Sequence, residues 1–232
     1  MIARAVLCPS PPLLARELTG RAIVLPELRD ACAAAVAHLV KADSDVVAVV
    51  GAGAGTATWD ADGRLDVPSY GPSAGKTTGT RALPLALGLG AMLLDNAGYA
   101  GPRLLQAVGE DEPPPSCLRL GESLAAVSPR VGLLIVGDGS ARRGPSAPGH
   151  FDERARPFDA EVARAICGGD MAALAALDPA LARELMATGR PAWQVLAGAL
   201  GFAPESSPPS AEILYADDPF GVAYIVAVFE PA

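Results

Sequence analysis

Polar and glycine residues follow three strand-like apolar segments of the sequence. The segments are 3–8, 46–50 and 131–136, and the residues that follow them include Ser10, Gly53, Asp138 and Ser140. A carboxylate or hydroxyl group can bind a polar ligand or exchange a proton, and a glycine lets the backbone approach a ligand closely. Ligands of open α/β sheets bind outside the carboxyl ends of the strands, so we predict that these residues line one site.

Three basic residues follow Asp138 on a loop. Arg142 and Arg143 suit an anionic or polar ligand, and the alternative is that both are solvated loop residues. His150 is a candidate acid or base, and the alternative is a solvated loop histidine. The only other histidine, His38, lies in an alanine-rich segment, where a position on a helix flank or in the core is favoured. Two histidines leave little room for a histidine-rich metal site.

Two glycine-rich segments resemble nucleotide-binding motifs but depart from them. Segment 71–77 has three residues between its glycines, where a phosphate-binding loop needs four, and no apolar strand precedes it. In segment 51–55 the third glycine comes one residue earlier than in the dinucleotide-binding motif. We therefore interpret segment 51–55 as a tight turn beneath a substrate cleft, and we predict no nucleotide site.

The composition excludes nucleic-acid-binding and membrane-surface proteins. The chain has 232 residues, of which 50% are hydrophobic and 19% charged, and its formal net charge is −8. An acidic chain with so few charges has no basic surface for nucleic acid or anionic lipid. A chain of this length can bury roughly three quarters of its unfolded surface, so we expect a substantial core.

Further features indicate a cytoplasmic protein. The longest apolar stretch, 82–94, is interrupted by Pro84, Gly88 and Gly90 and is shorter than the roughly 18 residues of a membrane span. The N-terminal apolar run is too short for a signal peptide. The four cysteines are far apart and form no C-x-x-C pair, so we expect reduced, mostly buried thiols.

The elements that must position the candidate residues are those of an α/β domain. We predict helices over 27–41, 83–96 and 191–200, and strands over 3–8, 46–50, 131–136 and 221–229. Residues 101–115 are predicted to be loop-rich. The third quarter is predicted to be helical, with caps at Asp170 and Asp178 and a helix closed by Gly189. The prediction is one α/β domain over residues 1–232, with a central mostly parallel or mixed sheet and helices on both faces.

A set of segments in order along the chain carries a family resemblance. They are 9–14 after the first strand, 46–55, 66–71, 82–85, 136–140, the pairs Phe151-Asp152 and Phe158-Asp159, and 219–224. Their order and spacing resemble those of the B-subunit superfamily of class III extradiol ring-cleavage dioxygenases, including its uncharacterised actinobacterial branch. The resemblance covers nearly the whole chain. It implies a single α/β domain and, in active members, a non-haem Fe(II) that binds a catecholate and O₂ at the strand ends.

The resemblance also implies where the iron-binding histidines of active relatives would fall. The histidine of the family's P-H-P-P motif falls on Ser10, and the histidine of its second strand-end loop falls at or next to Gly53. The histidine of its S-H loop falls on Ala141, or on Arg142 if the register slips by one. None of these four residues offers an imidazole.

A carboxylate completes the family's iron site. Glu205 and Glu212 are in the right region of this chain, and neither can be assigned that role. Iron in such a site needs neutral imidazoles and a carboxylate, with open positions for substrate and O₂. We therefore predict no metal and no cofactor here, and the alternative is a site rebuilt from Cys8, Asp138, His150 and a glutamate.

Three functions are open to a chain with this resemblance and these departures. The first is a degenerate family member that lacks the Fe(II) ligands, keeps a strand-end pocket for a small polar or anionic molecule, and does not cleave rings. The second is a non-catalytic partner or scaffold subunit, and the third is a dioxygenase with an atypical metal site. A homo-oligomer is compatible with all three. The candidate pocket residues are Ser10, Gly53, Asp138, Ser140, Arg142, Arg143 and His150.

Overall fold

The computed structural model describes residues 1–20, 22, 24–66, 82–202 and 207–231. The strands are β1 Ile2–Cys8, β2 Val46–Gly53, β3 Ala57–Trp59, β4 Arg64–Leu65, β5 Ala82–Leu83, β6 Arg103–Gly109, β7 Val131–Val136, β8 Ser210–Asp217 and β9 Tyr224–Glu230. The helices are α1 Arg16–Thr19, α2 Pro26–Val40, α3 Leu85–Asn96, α4 Pro114–Ala125, α5 Ala155–Cys167, α6 Met171–Ala175, α7 Pro179–Glu184 and α8 Arg190–Leu200, with a 3-10 turn at Pro12–Leu14. Segment 71–77 and Glu205 lie outside the described residues.

Seven strands form the central sheet in the order β3-β6-β2-β7-β1-β9-β8. Strands β6, β2, β7 and β1 run parallel to one another, whereas β3, β9 and β8 are antiparallel to the strands they pair with. The two-residue strands β4 and β5 form a separate parallel pair. The predicted α/β class with a mixed central sheet is therefore confirmed.

Hydrophobic side chains cover both faces of the sheet. Along β1, Ala5 and Leu7 belong to one core cluster, and Val6 and Cys8 belong to the other. Helices α2 and α3 contribute to the second cluster, while α4, α5 and α8 contribute to the first. A strand covered on both faces needs apolar residues throughout, which is why all of β7 is buried and apolar.

The carboxyl ends of the four parallel strands meet at one end of the sheet, which we call the strand-end rim. The strands end there at Cys8, Gly53, Gly109 and Val136, and the register places Cys8 beside Val136 and Gly53 beside Gly109. Strand β9 begins at this rim because it runs antiparallel to β1. The prediction that the first, second and third apolar segments end at one edge is confirmed.

The prediction that residues 101–115 are loop-rich is wrong. Strand β6 occupies most of that segment and lies inside the sheet, between β2 and β3. Its Gln106 interrupts the apolar run, yet both polar atoms of this buried side chain have a hydrogen-bond partner. The amide nitrogen donates to the carbonyl oxygen of Ala107 at 2.8 Å, and the amide oxygen accepts from Thr58 Oγ1 at 2.9 Å. Because Gln106 interrupts the apolar run, the sequence pattern does not indicate a buried strand here.

The prediction that Gly189 closes a helix is also wrong. Helix α7 ends at Glu184, and Gly189 is the N-cap residue of α8. The predicted caps at Asp170 and Asp178 are confirmed. Their carboxylates accept hydrogen bonds from backbone N–H groups in the first turns of α6 and α7, at 2.9 Å and 2.8 Å.

All four cysteines are free thiols. Cys8, Cys32 and Cys117 are buried and Cys167 is exposed, so the prediction of mostly buried thiols is confirmed. Within the described ranges, no helix is both long enough and apolar enough to cross a membrane.

Candidate functional site

Ser10 and Asp138 form a hydrogen-bonded pair at the centre of the strand-end rim. The backbone N–H of Ser10 donates to Asp138 Oδ1 at 2.6 Å, and Ser10 Oγ donates to Asp138 Oδ2 at 3.0 Å. Burial raises the pKa of the Asp138 carboxyl to about 6, although both hydrogen bonds from Ser10 act to lower it. Asp138 keeps part of its surface exposed, so the pair lies at the surface of the rim.

Three elements fix the position of Asp138. The backbone N–H of Gly137 donates to the carbonyl oxygen of Cys8 at 3.0 Å, which holds the ends of β7 and β1 together. The N–H of Gly189, at the start of α8, donates to the carbonyl oxygen of Asp138 at 2.8 Å. A Cβ on Gly137 would lie 2.5 Å from the Cα of Gly189, so this close approach requires glycine.

Ser140 holds a second aspartate, Asp159 of α5, in the same way. Its backbone N–H donates to Asp159 Oδ1 at 2.8 Å, and its Oγ donates to Asp159 Oδ2 at 2.5 Å. Both residues are buried, and burial raises the pKa of the Asp159 carboxyl above its usual value. The pair therefore ties the loop after β7 to α5.

Arg143 forms ion pairs with carboxylates of the protein. Its Nε lies 3.1 Å from Asp218 Oδ2 and 3.7 Å from Asp159 Oδ2, and Arg156 also pairs with Asp218, at 3.2 Å. Arg142 lies beside Gly149, and its buried Nε has no hydrogen-bond partner within the part of the chain that the structure describes. Neither arginine pairs with Asp138.

The two histidines lie apart from the Ser10–Asp138 pair. His150 is exposed on its loop, with a left-handed φ of 59°. His38 is exposed on α2. Of the predicted pocket residues, the structure brings Ser10 and Asp138 into contact, buries Ser140, engages Arg143 in ion pairs and leaves His150 at the surface.

We call Ser10, residues 137–140 and Tyr224 the β1/β7 half of the rim, and residues 53–56 and 109–113 the β2/β6 half. The β2/β6 half surrounds an open hollow of about 480 Å³. Glu110 and Asp111 are exposed there, and Thr56 Oγ1 donates to the carboxylate of Glu112. Gly53 lies in this half, and a Cβ on it would be 2.9 Å from the Cβ of Ala107.

The residues at the family's histidine positions do not fit an iron site. The hydroxyl of Ser10 is bonded to Asp138, Gly53 has no side chain and no room for one, and Ala141 has only a methyl group. Glu212 is exposed on β8 and pairs in register with Val228, away from the rim. Among the described residues, no group of three His, Cys, Asp or Glu side chains is arranged to hold a metal ion.

A rebuilt metal site from Cys8, Asp138 and His150 also lacks support in the geometry. Cys8 is buried in the core cluster of α2 and α3, and contact with the thiol of Cys32, together with burial, raises its pKa. His150 is exposed on a loop that begins several residues after Asp138. The three side chains therefore have three different environments.

Sequence reasoning missed Tyr224 and Asp159 as neighbours of the candidate residues. Tyr224 is 5% exposed at the start of β9, and the charge of Asp138 adds to burial in raising its pKa well above the usual value. Asp159 follows Phe158 in a segment that carries the family resemblance. No spacing rule connects it with Ser140, because the contact depends on where α5 packs.

No protein-family model matches the chain, and a search of curated proteins gives no match. Among solved structures, the chain is similar to the crystal structure of an uncharacterized protein from Escherichia coli. The TM-score is 0.56 at 15% sequence identity, over 98% of this chain and 99% of that one. A likeness at that identity shows the α/β fold alone.

Proposed function

We propose that this protein binds a small polar or anionic molecule at the strand-end rim, on a degenerate class III extradiol dioxygenase B-subunit-like scaffold without Fe(II). The observation that carries the proposal is the Ser10–Asp138 pair, in which two hydrogen bonds fix the carboxyl of a partly exposed residue where parallel strands end. The site residues we propose are Ser10 and Asp138, with Gly53 at the border of the neighbouring hollow.

The chemistry of the pair supports ligand binding. An ionised carboxylate offers about four acceptor positions, and Ser10 fills two of them. The remaining positions are available to ligand donors on the exposed side. A carboxyl group already oriented by the protein loses little freedom when it binds, which favours affinity.

The family's iron-dependent ring cleavage is not part of the proposal. That reaction requires imidazole ligands, and the positions that the resemblance assigns to them hold Ser10, Gly53 and Ala141 or Arg142. We propose a cytoplasmic protein, since four free cysteines suit a reducing compartment.

A thermal-shift screen of metabolites tests the proposed function. We expect at least one compound to raise the melting temperature of the wild-type protein, and Asp138→Asn to reduce that rise. Asp111→Asn is the matched control, because Asp111 lies in the other half of the rim and pairs only with exposed Arg183. A screen with no response beyond buffer controls would contradict the proposal, as would a hit to which D138N responds like the wild type.

Anaerobic reconstitution with Fe(II) separates the proposal from the dioxygenase alternative. We expect less than one iron per chain after desalting and no cleavage of added catechols. Stoichiometric iron together with ring cleavage would instead establish an atypical metal site.

An exposed apolar surface favours the second candidate function, a non-catalytic partner subunit. Phe151, Met186 and Phe220 are 58%, 42% and 44% exposed. Backbone hydrogen bonds link the segments that carry them, from Ala141 to the carbonyl of Leu185 and from Arg143 to that of Gly221. Exposed apolar side chains mark interaction sites where they form a patch.

Light scattering after size exclusion tests the partner-subunit function. We expect a self-associated wild type and a monomeric variant that carries Phe151→Ser and Phe220→Ser. A strictly monomeric wild type that captures no partner would remove this candidate.

A further inference from the structure

Tyr224 lies beside the Ser10–Asp138 pair. Strand β9 pairs antiparallel with β1 and begins with Tyr224 at the rim, close enough to Asp138 for the charge of that carboxylate to raise the pKa of the phenol. Ala223, the residue before Tyr224, is bonded to the loop after β7. Its N–H donates to the carbonyl oxygen of Ser140 at 2.9 Å, and its carbonyl oxygen accepts from Gly139 at 2.8 Å.

The hydroxyl group of Tyr224 stands out among the side chains that the structure describes. It forms no hydrogen bond with any described residue, and it is not among the side-chain atoms that are unpartnered and fully shielded from solvent. The residue as a whole is nevertheless buried, with 5% of its surface exposed. A hydroxyl that reaches solvent from an otherwise buried ring, beside the Asp138 carboxyl, offers a ligand a donor held in a fixed position.

We propose that Tyr224 completes the binding site at Asp138, and that the group bound there is uncharged and carries a hydrogen-bond donor next to an acceptor, as a carboxamide or a hydroxyl does. The inference deepens the proposed function and rests on it. Tyr224 donates to the acceptor of the ligand, and the carboxylate of Asp138 accepts from its donor. Burial and the charge of Asp138 raise the pKa of Tyr224, which keeps the phenol protonated as a donor.

A charged ligand group would leave part of this site unpaired. An anion would face the carboxylate of Asp138, which has no described cation as a partner: Arg143 is paired with Asp159 and Asp218, and Arg142 lies against Gly149. An ammonium group would satisfy Asp138 but offers no acceptor to the Tyr224 hydroxyl. A neutral donor–acceptor group pairs with both side chains, so the inference narrows the ligand from polar or anionic to neutral.

Four probes on the same ring test the inference: benzamide, benzyl alcohol, benzoate and benzylamine. Each is titrated at pH 7.5 into the ¹⁵N-labelled full chain while amide chemical shifts are followed. We expect benzamide and benzyl alcohol to move the amides of Ser10, residues 137–139 and Ala223 at lower concentrations than benzoate or benzylamine. The better of these two neutral probes identifies the preferred group.

Two variants test the roles of Tyr224 as a donor and of Asp138 as an acceptor. Tyr224→Phe keeps the ring and removes one hydrogen bond, so we expect benzamide affinity to fall about fivefold. Tyr99→Phe is the control, a partly buried tyrosine before β6 whose hydroxyl donates to the carbonyl oxygen of Pro102, and it should bind like the wild type. In Asp138→Asn the negative charge is gone, so the preference for benzamide over benzoate should shrink. Dispersed amide spectra report that each variant is folded.

Each contrary outcome has a separate meaning. Tighter binding of benzoate or benzylamine at the same amides would overturn the neutral-ligand inference and leave the proposed function standing. Equal benzamide affinity for Y224F and wild type would overturn the role of Tyr224. If none of the probes moves the rim amides although the metabolite screen gives a ligand that depends on Asp138, the inference fails alone. If the metabolite screen also fails, the proposed function fails with it.

Discussion

The β1/β7 half and the β2/β6 half of the strand-end rim both carry carboxylates, but they hold them in different ways. In the β1/β7 half, Ser10 and Ser140 each fix an aspartate through a backbone N–H and a side-chain hydroxyl. In the β2/β6 half, Glu110 and Asp111 are exposed beside glycines. The difference shows that donors inside the fold fix a carboxylate in place, whereas a carboxylate at the surface, such as Asp111 beside the exposed Arg183, remains largely solvated.

The β2/β6 half is held from inside the molecule instead. The guanidinium of Arg190, which is 1% exposed, donates to the carbonyl oxygens of Glu110 and Glu112 and to Oε1 of Gln194. These bonds orient the backbone of the acidic loop, whose carboxylates are paired only at the surface, Asp111 with Arg183 and Glu112 with Thr56. One half of the rim therefore has fixed side chains, and the other has a fixed backbone.

The largest expected effect comes from removing the internal support of the β2/β6 half. Arg190→Met removes the guanidinium donors from the partly buried carbonyl groups of Glu110 and Glu112 and from buried Gln194 Oε1, so we expect the free energy of unfolding to fall by about 3 kcal/mol. Urea unfolding measures it. Arg183→Met is the control, because the Arg183–Asp111 ion pair is exposed and should be worth under about 1 kcal/mol. Equal losses in both variants would remove the distinction between buried and exposed support.

The next prediction compares how much free energy of unfolding is lost when the serine of each serine–aspartate pair is replaced. Ser140→Ala removes a buried hydrogen bond to a carboxyl group and should cost about 2 kcal/mol in urea unfolding. Ser10→Ala removes the corresponding bond at the partly exposed Asp138, where water can replace the hydroxyl, so we expect a loss below about 1 kcal/mol. A larger loss of unfolding free energy for S10A than for S140A would show that burial does not determine how much each hydrogen bond contributes to stability.

A glycine substitution tests the packing of the β2/β6 half. In Gly53→Ala the new Cβ would meet the Cβ of Ala107 at 2.9 Å, so we expect a loss of about 1–2 kcal/mol from overpacking. Gly55→Ala is the matched control, since nothing lies within 4 Å of a Cβ there, and it should change stability by less than about 0.5 kcal/mol. Thermal unfolding of the pair measures the difference, and an equally stable G53A would contradict the observed contact.

The smallest expected effect is a pH dependence from Asp138. Its pKa is raised in the folded protein to about 6, so its favourable contribution is complete below its ordinary unfolded pKa near 4 and is lost as the pH rises through 6. Between pH 5 and pH 7.5 this group should lower the free energy of unfolding by about 1 kcal/mol. Asp138→Asn removes that part of the pH dependence. Parallel stability profiles for wild type and D138N would show that Asp138 has an ordinary pKa.

The sequence predicts those parts of the fold in which buried positions form a regular pattern of apolar residues. Strand β7 and helix α2 are found because one is apolar throughout and the other has an apolar face. Strand β6 is missed because Gln106 breaks its apolar run while satisfying its own polar groups inside the sheet. Secondary structure is thus predictable where an apolar pattern indicates burial, and it is missed where a buried polar side chain interrupts that pattern.

The candidate site is predictable to a lesser degree. Ser10 and Asp138 are found because the carboxyl ends of parallel strands share one edge. Tyr224 and Asp159 reach the same region through pairings that no local pattern reveals, namely β9 running antiparallel beside β1 and α5 packing near the loop after β7. Their roles depend on topology, which the spacing of residues along the chain does not encode.

The placement of β1 between β7 and β9 has a consequence for the order of folding during synthesis. β1 pairs with residues 131–136 and again with residues 227–229, so its second neighbour is translated more than 200 residues after it, roughly ten seconds or longer at ribosomal rates. During that interval Val6 and Leu7, which are fully buried in the native state, belong to a strand with one open edge. Nascent chains halted before β9 should therefore be retained by chaperones, whereas chains released through residue 230 should fold.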